Sequence, residues 1–149
     1  MNGAEVMTEY PFSFEAAILE KNHQPLTVGE VTFDGPLLPG QVLVRVLYSG
    51  ICGKQIEEIE ASAGPDPYLP HMLGHEGSAV VMEPGPGVTK VAKGDHVVLH
   101  WMKGSGIEAA TPLYWRGDQR INAGLVTTFN CHAVIGENRM TPVPKGSDM

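Results

Sequence analysis

Pro70-His71-Met72-Leu73-Gly74-His75-Glu76-Gly77 sets a histidine and a carboxylate side by side between two glycines, directly ahead of the apolar run Ala79-Val80-Val81-Met82. Gly74 and Gly77 permit backbone angles that other residues avoid. An ionisable pair at the mouth of a buried strand costs free energy unless something compensates its charge, and a metal ion is one such compensation. A second glycine-rich junction lies upstream, Gly50-Ile51-Cys52-Gly53, and it carries one of the two cysteines. Thiolate, imidazole and carboxylate are ligand types that suit zinc, and three protein ligands with an open fourth position make the catalytic arrangement. The expectation is that the fold brings Cys52 to His75, with Glu76 beside them. A histidine on its own is more often a satisfied structural residue, so it is the neighbouring cysteine and carboxylate that give the metal reading its force.

Outward from this stretch the chain reads as short strands punctuated by turns. Residues 41–48 form the clearest strand, with Val42, Val44 and Val46 on one face and Gly50 ending it. Residues 53–59 read as a short helix, with Ile56 and Ile59 inward and Glu57 and Glu58 outward. Cys52 therefore sits where a strand hands over to a helix. Further strands are expected at 14–19, 26–32, 78–82, 96–101 and 126–135, with an extended exit at 140–144. Proline and glycine mark turns at 36–40, 84–87 and 93–95, a loop covers 61–70, and a Gly/Ala/Thr-rich segment runs over 103–124. Residues 1–13 read as a leader. Roughly seven short strands and one small helix make a mainly β fold, a compact barrel or sandwich.

The chain has 149 residues, one domain by the usual prior, and buries roughly 70% of its unfolded surface. Its net charge of −7 and pI near 5.2 leave no basic patch for nucleic acid. No Lys/Arg-rich amphipathic stretch addresses a membrane surface, and no apolar run approaches the ~20 residues of a span. Cys52 and Cys131 make no disulfide framework, which favours a reduced, cytoplasmic setting. Glu5 and Glu9 rule out a secretory signal in the first residues.

Three other patterns carry less. Gly104-Ser105-Gly106-Ile107-Glu108-Ala109 matches a dinucleotide fingerprint, but Thr111-Pro112 stops the helix it would open, so it reads as a surface loop. His71 and His75 have helical spacing in a stretch whose proline and glycines oppose a helix. His96 and His100 share a strand face, where packing or solvent suits them.

Taken together, Gly50-Ile51-Cys52-Gly53, Gly74-His75-Glu76-Gly77, Gly85-Pro86-Gly87-Val88 and Gly94-Asp95-His96-Val97-Val98 resemble, in order and spacing, the zinc-dependent alcohol dehydrogenases of the medium-chain dehydrogenase/reductase superfamily. The resemblance runs from about Phe14 to Lys145. It implies a GroES-like β-barrel and an oxidoreductase that moves hydride between an alcohol and NAD or NADP. It implies that Cys52 and His75 are catalytic zinc ligands, and that Glu76 is the carboxylate beside the metal. It places Gly53 in contact with the cofactor and Trp101 in the lining of the pocket for a small alcohol or aldehyde. It also implies a homo-oligomer at full length.

The sequence departs from the family at three places. Lys54 stands where the family has a Ser or Thr that relays the alcohol proton, and only an uncharged lysine would serve as a catalytic base there. Gln55 stands where an Asp orients the zinc-bound histidine; it is expected to accept from the imidazole with less charge. Residues 103–124 hold no cysteine, so the family's four-cysteine structural zinc site is absent. Residues 14–149 are expected to be the catalytic domain alone, with the Rossmann cofactor domain and the third protein ligand outside the sequence, and to be inactive alone. Two alternatives stay open: a zinc-free, quinone-reductase-like oxidoreductase domain and a stand-alone GroES-like binding module.

Overall fold

The computed structural model describes residues 8–147. Ten strands and one α-helix follow in the order β1 (Phe12–Leu19), β2 (Thr27–Phe33), β3 (Gln41–Ser49), α1 (Gly53–Ile59), β4 (His71–Met72), β5 (Glu76–Pro84), β6 (His96–His100), β7 (Tyr114–Arg116), β8 (Gln119–Ile121), β9 (His132–Gly136) and β10 (Met140–Pro142), with a 3-10 turn at Glu137–Arg139 between the last two. They form two five-stranded sheets, β4-β1-β2-β7-β8 and β10-β6-β5-β3-β9. This is the mainly β, GroES-like fold that the motifs imply.

The alternation along β3 explains why the sheets stack. Val42 and Val44 pack into one buried cluster with Ala79, Val81, Val97, Leu99 and Ile135. Leu43, between them, points the other way into a second cluster with Phe14, Ile18, Val31, Phe33 and Tyr114. A strand buried on both faces must be central, and β3 lies between β5 and β9. Each fully buried aliphatic side chain here contributes about 1.5–3 kcal/mol by leaving water. Tyr114, also fully buried, uses its hydroxyl to accept from Val134 N–H at 2.8 Å, so its burial strands no polar atom.

Several boundaries differ from the sequence reading. β1 opens at Phe12, inside the expected leader; residues 1–7 of that leader lie outside the described residues. The Gly/Ala/Thr-rich segment 103–124, to which the sequence reading assigns no strand, contains the β7–β8 hairpin, whose turn residue Gly117 has φ +58°. Its strands are three residues each, too short to carry a periodic signal. The expected strand 126–135 is a strand only from His132. Residues 128–131 instead bond to other segments: Thr128 and Phe129 N–H donate to Leu73 O, and Cys131 N–H donates to Glu15 O of β1. Local β propensity there loses to these longer-range hydrogen bonds.

Candidate metal centre

Antiparallel pairing makes the site. β3 and β5 pair as far as Ser49 opposite Gly77, and one residue further Gly50 N–H donates to Glu76 O at 3.0 Å. The exit of β3 and the entry of β5 therefore share one sheet edge. Cys52 lies two residues past Gly50 and His75 one before Glu76, so the register itself brings them together. Cys52 Sγ stands 3.2 Å from His75 Nε2. Donor atoms of Cys52, His75 and Glu76 all lie within 4.8 Å of one another, the one such group of three or more among the described residues. Cys52 and His75 are half-buried and Glu76 is exposed.

Two glycines leave the room this needs. Gly74 sits at φ +92°, and a Cβ there would fall 2.2 Å from Thr128 Oγ1. A Cβ on Gly50 would fall 2.6 Å from Glu76 Oε1, inside the space the carboxylate uses.

Cys52 is the N-cap of α1. Its sulfur accepts from Lys54 N–H at 3.4 Å, and its own N–H donates to Gln55 Oε1 at 2.9 Å, closing a capping box. The other end of the Gln55 amide, Nε2, lies 2.8 Å from His75 Nδ1. The helix was expected to turn Ile56 and Ile59 inward; instead Ile56 is 53% exposed and Gln55 is buried at 1%. A buried amide is tolerated because both of its polar ends are bonded. The expectation that Gln55 accepts from the imidazole is also corrected: its acceptor oxygen is committed to Cys52 N–H, so the amide presents its donor to the ring.

The remaining candidates are placed as follows. Lys54 is exposed and its amine lies 3.6 Å from Glu57. A Cβ at Gly53 would meet nothing within 4 Å, so the backbone there is open to approach. Trp101 leaves β6 one residue past the Glu76–His100 pair and is 62% exposed, and its carbonyl accepts from Arg139. His100 bonds Met102 O and Thr141 Oγ1, so it serves packing. Residues 104–109 are loop, as expected.

Sequence reasoning missed a second pair. His71 is in β4, not on a helix, and its Nε2 lies 2.8 Å from Asp66 Oδ2. Burial pushes the Asp66 carboxyl up, but Tyr68 N–H and His71 outweigh it and hold it below the usual value. This pair and the His75–Gln55 contact line one cleft of about 470 Å³, together with Arg120, Asn122 and Val126. Asp66 gave no signal in a proline- and glycine-rich loop, and the hairpin supplying Arg120 was not recognised.

The donor set fits zinc. Bonds of about 2.3 Å to sulfur and 2.0 Å to nitrogen, at a tetrahedral angle, separate the two donors by about 3.5 Å. The 3.2 Å found here is a few tenths short of that. Residues 38–145 match the alcohol dehydrogenase GroES-like domain. The chain belongs to this family. An alcohol dehydrogenase class-3 from Cereibacter sphaeroides is 43% identical over 83 residues, 56% of this chain and 22% of the relative. Alcohol dehydrogenase 1 of Neurospora crassa is 28% identical over an alignment that covers 95% of this chain and 41% of the relative. The solved structure of an alcohol dehydrogenase zinc-binding domain protein from Burkholderia ambifaria superposes with a TM-score of 0.78 at 24% identity, covering 93% of this chain and 44% of that one. Benzyl alcohol dehydrogenase from Acinetobacter calcoaceticus gives 0.74 at 23%, covering 92% and 42%. These two likenesses concern the fold. The chain spans less than half the length of each of these relatives. No helix among the described residues is long and apolar enough to cross a membrane.

Proposed function

We propose that these residues are the zinc- and substrate-binding part of an alcohol dehydrogenase that transfers hydride between a small alcohol and NAD or NADP. The observation that carries the reading is the convergence of Cys52 Sγ and His75 Nε2 at 3.2 Å, with the Glu76 carboxylate beside them. Zinc bound there would supply Lewis acidity toward the alcohol or carbonyl oxygen. Cys52 and His75 would hold it. Glu76, exposed at the edge of the site, would offer an oxygen that approaches or leaves as the other ligands change. Trp101 would narrow the substrate side by its bulk. Lys54, in its ion pair with Glu57, is a donor with no lone pair to offer, so it would not begin the proton route.

The reading takes residues 14–149 as one part of a longer, oligomeric, cytoplasmic enzyme. A nucleotide-binding domain outside this sequence would supply most cofactor contacts and a third protein ligand. The open backbone at Gly53 would then face the cofactor.

The test is zinc binding by competition with a chromogenic chelator, for the wild type and Cys52→Ser. The wild type should bind about one equivalent. Cys52→Ser should weaken binding by more than about a hundredfold, beyond the 10–100-fold that a supporting residue is worth. Equal zinc affinity in the two proteins rejects the reading. In the full-length enzyme the same substitution should abolish alcohol oxidation.

A further inference from the structure

The placement of Gln55 bears on which ring nitrogen of His75 carries the proton. Three contacts fix this. Cys52 N–H donates to Gln55 Oε1 at 2.9 Å, Gln55 Nε2 lies 2.8 Å from His75 Nδ1, and His75 Nε2 lies 3.2 Å from Cys52 Sγ. A backbone N–H is only a donor, so the amide must turn its oxygen to it. The amide NH₂ is then left facing Nδ1, which must accept. A neutral imidazole has one N–H, so the proton sits on Nε2 and points at the sulfur. Gln55 is 1% exposed, so water does not relieve the constraint.

A metal ion at Nε2 needs the opposite arrangement: a lone pair on Nε2 and the proton on Nδ1. That proton would meet the Gln55 NH₂ head-on. Turning the amide over satisfies Nδ1–H but sets the NH₂ against Cys52 N–H. Whichever way the amide lies, metal loading leaves one buried donor facing another. A carboxylate at position 55 escapes the conflict, because both of its oxygens accept.

We propose that Gln55 is a positioning residue that holds His75 in its Nε2-protonated tautomer, coupling Cys52 and His75 by a hydrogen bond and making zinc uptake weak and dependent on an amide turnover. The inference rests on the reading of Cys52 and His75 as ligands only for its metal half; the tautomer half rests on the contacts among Cys52, Gln55 and His75 alone.

The experiment has two readouts on the wild type, Gln55→Glu and Gln55→Met. The first is the long-range ¹H–¹⁵N spectrum of the neutral His75 ring without metal. It should show the proton on Nε2 in the wild type and on Nδ1 in Gln55→Glu. The second is zinc affinity by chelator competition. Gln55→Glu should bind about 10–100-fold more tightly, the worth of a supporting carboxylate. Gln55→Met, which is similar in size but presents no donor to the ring, should bind at least as tightly as the wild type. This variant separates relief of the donor conflict from the charge that glutamate adds. A wild-type ring protonated on Nδ1, or weaker zinc binding by Gln55→Met, overturns the proposal. If neither the wild type nor Gln55→Glu takes zinc, the functional reading fails while the tautomer result still decides this one.

Discussion

Two carboxylates in this molecule, Glu137 and Glu76, show how the same group is saturated with hydrogen bonds in one place and left open in another. Glu137 is 1% exposed, between β9 and β10. Its Oε1 accepts from Thr89 N–H at 2.7 Å and Lys90 N–H at 2.6 Å, and its Oε2 accepts from Ile107 N–H at 2.8 Å. Its own N–H donates to Gly40 O at 2.9 Å. One side chain thus ties the loop at 103–109 to the segment after the turn at 84–87, and its backbone holds the turn at 36–40. Burial pushes its carboxyl up, but the three N–H donors outweigh this and hold it below the usual value of 4.5. Glu76 is exposed and sits beside a sulfur and a ring nitrogen instead of backbone donors. A carboxylate whose oxygens are already saturated with N–H groups has nothing left to offer a ligand. The difference lies in the donors each one meets, which are set by the loops and not by the residue type.

The strongest challenge to this contrast is Glu137→Gln. The amide has one acceptor atom, so either Ile107 N–H or the Thr89/Lys90 pair faces an NH₂. A loss of roughly 2–4 kcal/mol of folding stability is expected, read as a lower urea midpoint. Zinc affinity of the folded protein should stay at its wild-type value. Weaker zinc binding with unchanged stability would reverse the roles assigned to the two carboxylates.

A smaller effect follows with pH. Because the folded-state value for Glu137 is depressed, its stabilisation is present above the unfolded value of 4.5 and is lost as pH falls through the folded value. Asp66 acts in the same direction. Urea midpoints of the wild type should fall steadily below about pH 4.5, and those of Glu137→Gln should fall less over the same range. Parallel profiles would mean that Glu137 is not the group being titrated.

The mildest perturbation sharpens the other side of the comparison. In Gly50→Ala the new Cβ would meet Glu76 Oε1 at 2.6 Å and Cγ at 2.7 Å, so the whole exposed Glu76 side chain must turn about its first torsion. The carboxylate can swing away, so stability should change by less than about 1 kcal/mol. Zinc affinity should drop several-fold, because the third donor is displaced. An unchanged affinity would remove Glu76 from the ligand set.

The loop that resembled a dinucleotide fingerprint has its explanation in the same contrast. A Cβ on Gly106 would fall 2.9 Å from Glu137 Cγ, so that glycine makes way for a protein carboxylate. Nothing in the sequence near Gly106 announces a partner some thirty residues on.

By itself, the sequence determined the strands β3, β5 and β6, the helix Gly53–Ile59 to the residue, and the pairing of Cys52 with His75 as candidate ligands. These depend on patterns local in the chain: alternation at period two, glycines at the junctions, a cap before a helix. Tertiary structure decided what depends on distant donors and acceptors: the burial of Gln55 in place of Ile56, the orientation of its amide toward His75, the His71–Asp66 pair and the hub at Glu137. A hydrogen bond has direction as well as distance. Which end of an amide faces a ring is set only when strand register has brought a backbone N–H, a side chain and an imidazole together from separate parts of the chain.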